Sequence, residues 1–138
     1  MATSKEFVIR MEDRPGTLGK FCRQLSDRGV NILAVQSFPL EGKSQVRLLV
    51  DNPTTAKTVL DNERVSYTEQ EVAHVKLPHR PGELARAAVQ LGEANININH
   101  LYCGVESGSN VPIVVFGVAD VNQASAILER VASTTKAA

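Results

Sequence analysis

The stretch Arg14-Pro15-Gly16-Thr17-Leu18 returns 66 residues later as Arg80-Pro81-Gly82-Glu83-Leu84. Each copy is followed at the same distance by an Asn-Ile pair, at Asn31-Ile32 and Asn97-Ile98. A repeat with so long a period indicates a duplicated supersecondary unit. A Pro-Gly turn that opens a helix also leaves its backbone accessible to an anion.

The residues around each turn predict a strand before it and a helix after it. Apolar residues alternate at Phe7, Ile9 and Met11, and again over residues 73–77, which is typical of half-buried strands. From Leu18 and from Leu84, apolar residues recur at the i, i+3, i+4 and i+7 spacing of a helix. Each repeat therefore begins with a strand, a turn and an amphipathic helix.

The rest of each repeat predicts two further strands and a second helix. The second strands are expected over about 30–38 and 96–103, and the third strands include 46–50 and 113–116. The second helices start after Asn52-Pro53 and at Asp120, with the latter resembling a capping box. Gly29 and Asn95 are expected in the left-handed conformation just beyond the first helices.

A fourth strand is predicted for the first repeat alone, over residues 65–72, and it is expected to continue into 73–77. This order predicts an α+β fold of two ferredoxin-like βαββαβ units, with helices on one face of an antiparallel sheet. The expected domains are 1–71 and 72–138, and the second is expected to lack its own fourth strand. Because residues 73–77 would then be an open edge, we expect a homodimer formed mainly through the second repeat. In that interface Val115 should be sensitive to charge, and Arg47→Glu should be tolerated.

Composition excludes several classes of function. The chain has 15 basic and 15 acidic residues, so it has no overall charge that would attract nucleic acid or an anionic membrane. No apolar run is long enough to span a bilayer, and the first residues lack the apolar stretch of a signal peptide. The expected protein is soluble and cytoplasmic. Cys22 and Cys103 are expected to be small buried apolar side chains.

With these motifs, the chain resembles a tandem ACT-domain protein of the free-standing, amino-acid-binding regulatory type. The resemblance rests on 13–18 with 29–32, and on 79–84 with 95–98. It implies allosteric regulation by a free amino acid and pairing of domains through their sheets. It implies neither catalysis nor a cofactor. A second reading is a regulatory subunit that docks to an amino-acid biosynthetic enzyme such as acetolactate synthase.

By position, the resemblance places ligand-binding residues in both repeats. Those of the first repeat are Asp13, Arg14, Pro15, Gly16, Thr17, Leu18, Asn31 and Ile32. Those of the second repeat are His79, Arg80, Pro81, Gly82, Glu83, Leu84, Asn97 and Ile98, with His100 as a further candidate.

The chemistry of these residues also favours an amino-acid ligand. Unpaired N–H groups at a helix start attract a carboxylate, and an Asn side chain offers both donor and acceptor to a zwitterion. Alternatively, Pro-Gly makes a tight turn and Asn simply starts a strand. His79 stands where the first repeat has Asp13, so the two sites are not expected to be equivalent.

Other chemistries find less support in the sequence. His74, His79 and His100 lack a neighbouring carboxylate or Cys at metal-ligand spacing, so no metal site is predicted. No Ser or Cys has a base partner for nucleophilic catalysis. An acylphosphatase-like phosphate site at Arg14 or Arg80 is disfavoured, since such sites use a longer glycine-rich loop. Four Phe and two Tyr are too few aromatic residues for an RNA-binding sheet.

Overall fold

The computed structural model describes the backbone of residues 3–137 and the side chains of residues 3–133. Ten elements follow one another along the chain. They are β1 (Thr3–Glu12), α1 (Thr17–Asp27), β2 (Ile32–Leu40), β3 (Lys43–Val50), α2 (Pro53–Asn62), β4 (Ser66–Lys76), α3 (Glu83–Glu93), β5 (His100–Val105), β6 (Pro112–Gly117) and α4 (Val121–Ala137). The fold is α+β and the strand pairs within each unit are antiparallel, as predicted.

The chain divides into two compact units. The first unit is Lys5–Gln70, and the second comprises the described parts of 1–4 and 71–138. The strand predicted to be continuous is one element, β4, which gives 66–70 to the first unit and 71–76 to the second. The assignment of two ACT-like domains at 1–71 and 72–138 stays a prediction.

In the first unit β3 is the central strand, and it pairs with both β1 and β2. Val46 lies opposite Ile9, and Leu48 lies opposite Phe7. These side chains form one core with residues of α1 and α2, namely Phe21, Leu25, Ala56, Val59 and Leu60. The predicted alternation in β1 is therefore confirmed.

The second unit repeats this arrangement, with β6 paired to both β4 and β5. Ala73 lies opposite Phe116, and Leu101 lies opposite the same residue from β5. The core is completed by residues of α3 and α4, namely Ala87, Leu91, Ala124, Ile127, Leu128 and Val131. Within the part of the chain that the structure describes, no strand follows α4.

Helix ends agree with the sequence in detail. Gly29 and Asn95 have φ values of 74° and 62°, so both lie in the left-handed region as predicted. Asn52 caps α2 by accepting a hydrogen bond from the Thr55 amide at 3.1 Å. Asp120 caps α4 in the same way by accepting from the Gln123 amide at 3.0 Å.

Two predicted strand starts are wrong. Val30 lies just beyond α1, where its amide donates to the Leu25 carbonyl, and β2 begins at Ile32. β5 begins at His100 rather than near residue 96. There the Asn97 side chain donates to the Asn99 side chain at 2.9 Å.

Several predictions about burial are also wrong. Leu18 and Leu84 are 37% and 43% exposed, because they lie in the first turn of their helices beside an exposed Pro-Gly turn. Cys22 is half-buried and Cys103 is exposed. Burial raises the pKa of the Cys22 thiol.

Arg47 is not the tolerant surface position that the sequence suggested. Its guanidinium contacts the fully buried Glu6 carboxylate at 2.8 Å, and the Arg47 side chain is only 17% exposed. The Gln70 side chain donates to the same Glu6 oxygen at 2.7 Å. Arg47→Glu would therefore place two carboxylates together in a buried position.

The structure also differs from the prediction that residues 73–77 form an open edge. His74 is half-buried, and its Nδ1 lies 2.9 Å from the hydroxyl of Ser4, which belongs to the same unit. Val115 is fully buried, so a charge there would unfold the unit whether or not the protein is a dimer. The homodimer stays a prediction that needs a different test.

Candidate functional site

The two Arg-Pro-Gly turns have the same backbone geometry. Gly16 and Gly82 both have φ of 90°, and each is the residue before a helix. The next amide donates back across each turn, from Thr17 to the Arg14 carbonyl at 3.3 Å and from Glu83 to the Arg80 carbonyl at 3.4 Å. The sequence repeat is thus a repeat of local structure.

These turns need glycine for their own geometry. A Cβ at Gly16 or Gly82 would meet no atom within 4 Å, but φ of 90° is strained for any other residue. A change such as Gly16→Val would therefore weaken the fold as well as any binding there. Substituting these glycines therefore cannot show whether the turns bind a ligand or only shape the backbone. Substitutions at other positions are needed for that test.

The two helices that follow these turns lack a side-chain cap. Neither Gly16 before α1 nor Gly82 before α3 supplies one, whereas α2 and α4 are capped by Asn52 and Asp120. Helix starts carry unpaired N–H groups and partial positive charge. The helices beside the repeated motif are those whose first turns no side chain caps.

The turn of the first unit lines an open groove of about 850 Å³. Its lining residues come from three separate stretches of the unit's sequence and are Arg10, Met11, Glu12, Arg14, Pro15, Gly16, Thr17, Lys20, Lys43, Arg64, Val65 and Ser66. Five of these side chains are basic and one is acidic. The groove is strongly cationic in a chain whose formal net charge is zero.

Some of this charge is paired at the rim. Arg14 Nε lies 2.7 Å from a Glu12 carboxylate oxygen, in an exposed ion pair. Arg10 lies 3.9 Å from Glu41 and donates to the Leu40 carbonyl at 3.1 Å. Among the described side chains, Lys20, Lys43 and Arg64 form no ion pair, so the groove keeps a net positive charge.

The turn of the second unit lines a smaller and more apolar pocket of about 290 Å³. It is bordered by Leu77, Pro78, His79, Arg80, Glu83, Leu84, Cys103, Pro112 and Val114. Most of these side chains are apolar. The polar side consists of His79, Arg80 and Glu83.

Glu83 neutralises the cations beside the second turn. Its side chain is only 10% exposed, and its two oxygens lie 2.8 Å from Arg80 Nε and 3.4 Å from an Arg86 nitrogen. Arg86 also donates to the Val131 carbonyl at 3.0 Å, which holds it against α4. In the first unit the corresponding residue is Thr17, which cannot pair with a cation.

The predicted Asn-Ile pairs lie away from these turns. Lys43 borders the first groove at one end of β3, and Ile32 pairs with Val50 at the other end. Eight residues of strand separate these ends by roughly 24 Å, which is more than the length of an amino acid. The Asn31 amide is itself bonded to Asp51 Oδ1 at 2.9 Å, so this part of the motif ties β2 to the end of β3.

The second unit separates its motif in the same way. Leu77 donates to the Pro112 carbonyl at the pocket end of β6, and Asn99 donates to the Gly117 carbonyl at the other end. Asn97 and Ile98 therefore do not line the pocket beside Arg80. Ile98 packs against the core instead.

Three further candidates also fall outside the two cavities. Asp13 and Leu18 are exposed and do not line the first groove. His100 lies across from Gly117, where a Cβ would overlap the imidazole, and its ring stacks on Tyr102 at 6.2 Å. The close approach to Gly117 gives His100 a packing role in the strand pair.

Sequence reasoning missed the cations of the first groove. Arg10, Lys20, Lys43 and Arg64 come from β1, α1, β3 and the residues after α2. No spacing in the sequence links four residues that only the fold brings together. The repeated turn was the one sequence feature that indicated this part of the fold. It gave no indication of the positive charge around the turn.

Comparison with known proteins finds a family match over part of the chain. Residues 6–62 match the ACT domain. The chain is 27% identical over 97 residues to an ACT domain-containing protein of Arabidopsis thaliana, and this covers 69% of the chain and 21% of that protein. It is 41% identical over 46 residues to an ACT domain-containing protein of Shouchella clausii, which covers 33% of the chain and 31% of that protein. The chain thus spans less than a third of the length of these curated relatives.

Solved structures share the fold over nearly the whole chain. A protein from Bacteroides thetaiotaomicron superposes with a TM-score of 0.81 at 21% identity, over 94% of this chain and 88% of that one. The ligand-free regulatory subunit of aspartate kinase from Thermus thermophilus superposes with a TM-score of 0.66 at 19% identity, over 97% and 92%. At these identities the likeness concerns the fold alone.

The described residues offer neither a metal site nor a membrane-spanning helix. Among the described residues, no group of three or more His, Cys, Asp or Glu side chains is placed to hold a metal ion. No helix in that part of the chain is long and apolar enough to cross a membrane.

Proposed function

We propose that this chain is a regulatory module that binds a free amino acid, built from two ACT-like domains, and that it is not itself an enzyme. The observation that carries the proposal is the pair of uncapped helix starts at the two Arg-Pro-Gly turns. Each of these turns also lines a cavity. The match of residues 6–62 to the ACT domain supports the same function.

The pocket of the second unit suits an amino acid with an apolar side chain. Leu77, Leu84 and Val114 offer apolar contact in a cavity of about 290 Å³. His79 and Arg80 lie at its polar side and can bind a carboxylate, while Glu83 can accept from an ammonium group. The pocket therefore presents one partner for each part of such a ligand.

A thermal-shift measurement with each of the twenty amino acids tests this function. A ligand present at about one hundred times its dissociation constant stabilises the folded state by roughly 2.7 kcal/mol. We expect at least one apolar amino acid to raise the melting temperature. If the protein is folded and none does so, the proposal fails, and a subunit that docks to an amino-acid biosynthetic enzyme becomes the better account.

Leu84 and Leu18 offer a matched pair of variants. They occupy the same position in the two repeats and are similarly exposed, but of the two only Leu84 lines the groove or the pocket described above. Leu84→Lys should weaken binding of the amino acid about tenfold or more, because it places a charge in an apolar pocket. Leu18→Lys should leave binding unchanged, and equal losses in both variants would place the ligand elsewhere.

We further propose that regulation acts through domain pairing and that the chain is a homodimer. Light scattering at micromolar concentration measures the oligomeric state directly. It needs no substitution at Val115, which is buried. A monomer under those conditions would contradict the proposed assembly while leaving amino-acid binding untouched.

A further inference from the structure

The groove of the first unit has a different chemistry from the pocket proposed for an amino acid. Four basic residues from four parts of the unit surround the Arg14–Thr17 turn, whose Arg14 is a fifth, against one carboxylate. The one acidic residue, Glu12, is already paired with Arg14 at 2.7 Å. A neutral zwitterion would leave most of this positive charge uncompensated.

We propose that this groove binds a phosphorylated small molecule that carries at least two negative charges. The cations available to it are Lys20, Lys43 and Arg64, which form no ion pair among the described residues. Arginine and lysine bind phosphate through charge-assisted hydrogen bonds. The proposal concerns the same turn as the proposed function but does not depend on amino-acid binding.

The size and shape of the groove fit such a ligand. Its volume of about 850 Å³ lies in the range of small-molecule and cofactor sites, roughly 300–1,000 Å³, and exceeds what a bare phosphate would fill. Met11, Pro15 and Val65 add apolar surface beside the cations. A phosphorylated compound with an organic part can therefore use both kinds of contact.

Arg64 is the most informative of the three cations. It follows α2 with φ of 55°, in the left-handed position that Gly29 and Asn95 occupy after α1 and α3. Glycine or asparagine is the usual residue there, and an arginine is disfavoured. Arg64→Gly therefore removes a groove cation while relaxing the backbone, so loss of binding cannot be attributed to loss of the fold.

Calorimetry with pyrophosphate as the probe tests the proposal on the full chain. We expect saturable binding at millimolar concentration or below, with an affinity that falls as salt is added. Arg64→Gly should weaken this binding about tenfold or more, in proportion to the loss of a hydrogen bond to a charged group. Its melting temperature in the absence of pyrophosphate should be equal to or above that of the parent.

Arg28→Gln is the matched control. It removes the same charge from the same unit, but Arg28 caps the far end of α1 and does not line the groove. Its affinity for pyrophosphate should change less than about twofold, because Arg28 is exposed and does not line the groove, so that salt screens its charge. Equal losses in the two variants would overturn the site, as would a failure of pyrophosphate to bind the folded protein.

A parallel titration with aspartate and glutamate distinguishes the phosphorylated ligand from an acidic amino acid. We expect pyrophosphate to bind more tightly than either. If an acidic amino acid binds more tightly and its affinity falls in Arg64→Gly, the phosphorylated ligand is refuted. Because the amino-acid proposal is tested at Leu84, either proposal can fail without the other.

Discussion

The two repeats share a backbone turn but surround it with opposite chemistry. At Gly16 the turn borders an open groove with three cations that form no ion pair among the described residues, and at Gly82 it borders a small apolar pocket. One pair of residues accounts for much of the difference, since Glu83 pairs with two arginines where Thr17 pairs with none. A duplicated motif can therefore keep its geometry while the charge around its two copies differs.

The two units also differ in charge at a buried position of their sheets. Arg47 lies opposite Val8 in the first unit, and Val115 lies opposite His74, which is 66 residues after Val8, in the second. Glu6, the partner of Arg47, likewise corresponds to the buried Val72. The first unit holds an ion pair where the second holds two valines, so this position of the fold accepts either.

The largest expected effect concerns this buried ion pair. Arg47→Val leaves the Glu6 carboxylate without its guanidinium partner in a buried site, which should cost about 3 kcal/mol of unfolding free energy. The double variant Glu6→Val with Arg47→Val recreates the pair of the second unit and should recover most of that loss. Urea unfolding measures both. A double variant as unstable as the single would show that the two sheets are not interchangeable here.

The second prediction exchanges the residues that set the charge of the turns. Glu83→Thr removes a mostly buried carboxylate with two partners and should cost on the order of 2 kcal/mol, measured by urea unfolding. The reciprocal Thr17→Glu should leave stability nearly unchanged, because Thr17 lines an open groove and a carboxylate is favourable in the first turn of a helix. It should abolish pyrophosphate binding. If Thr17→Glu still binds pyrophosphate with the parent's affinity, the charge of the groove is not what holds the anion.

The smallest expected effect is a pH dependence at His74. Burial lowers the pKa of this histidine, while the Glu106 carboxylate raises it and Lys76 lowers it to lesser extents. Because the folded pKa lies below the unfolded value of about 6.5, the unfolded state binds the proton more readily. Stability from this group is thus present above about pH 6.5 and is lost as the pH falls towards the folded pKa.

A variant with the residue of the other repeat isolates this contribution. His74→Val, which copies Val8, should flatten the decline in melting temperature between neutral and acidic pH. His79→Val is the control, because His79 is exposed and its substitution should leave the decline in place. An identical pH profile in His74→Val and the parent protein would contradict the assignment.

Local structure was predictable wherever one short segment determined it. The turns at Gly16 and Gly82, the left-handed residues Gly29 and Asn95, and the cap at Asn52 follow from the backbone needs of a few neighbouring residues. The apolar alternation of β1 and the continuous β4 follow from the period of a strand.

What the sequence could not provide depends on residues far apart in the chain. The burial of Glu6 could not be predicted from the sequence, because its partners Arg47 and Gln70 are 41 and 64 residues away along the chain. The groove cations are likewise far apart along the sequence. The Asn-Ile pairs were assigned to the turns because spacing alone does not show which end of a strand a residue occupies. Strand direction, which only the fold supplies, places them at the other end.

The central claim is that the two copies of one turn serve different ligands. The most direct test is a pair of nuclear magnetic resonance titrations of the full chain, one with pyrophosphate and one with the apolar amino acid found by thermal shift. We predict that pyrophosphate shifts the amides of Gly16, Thr17 and Lys20, and that the amino acid shifts those of Arg80, Glu83 and Leu84. Shifts at both turns with either ligand, or at neither turn, would contradict the account.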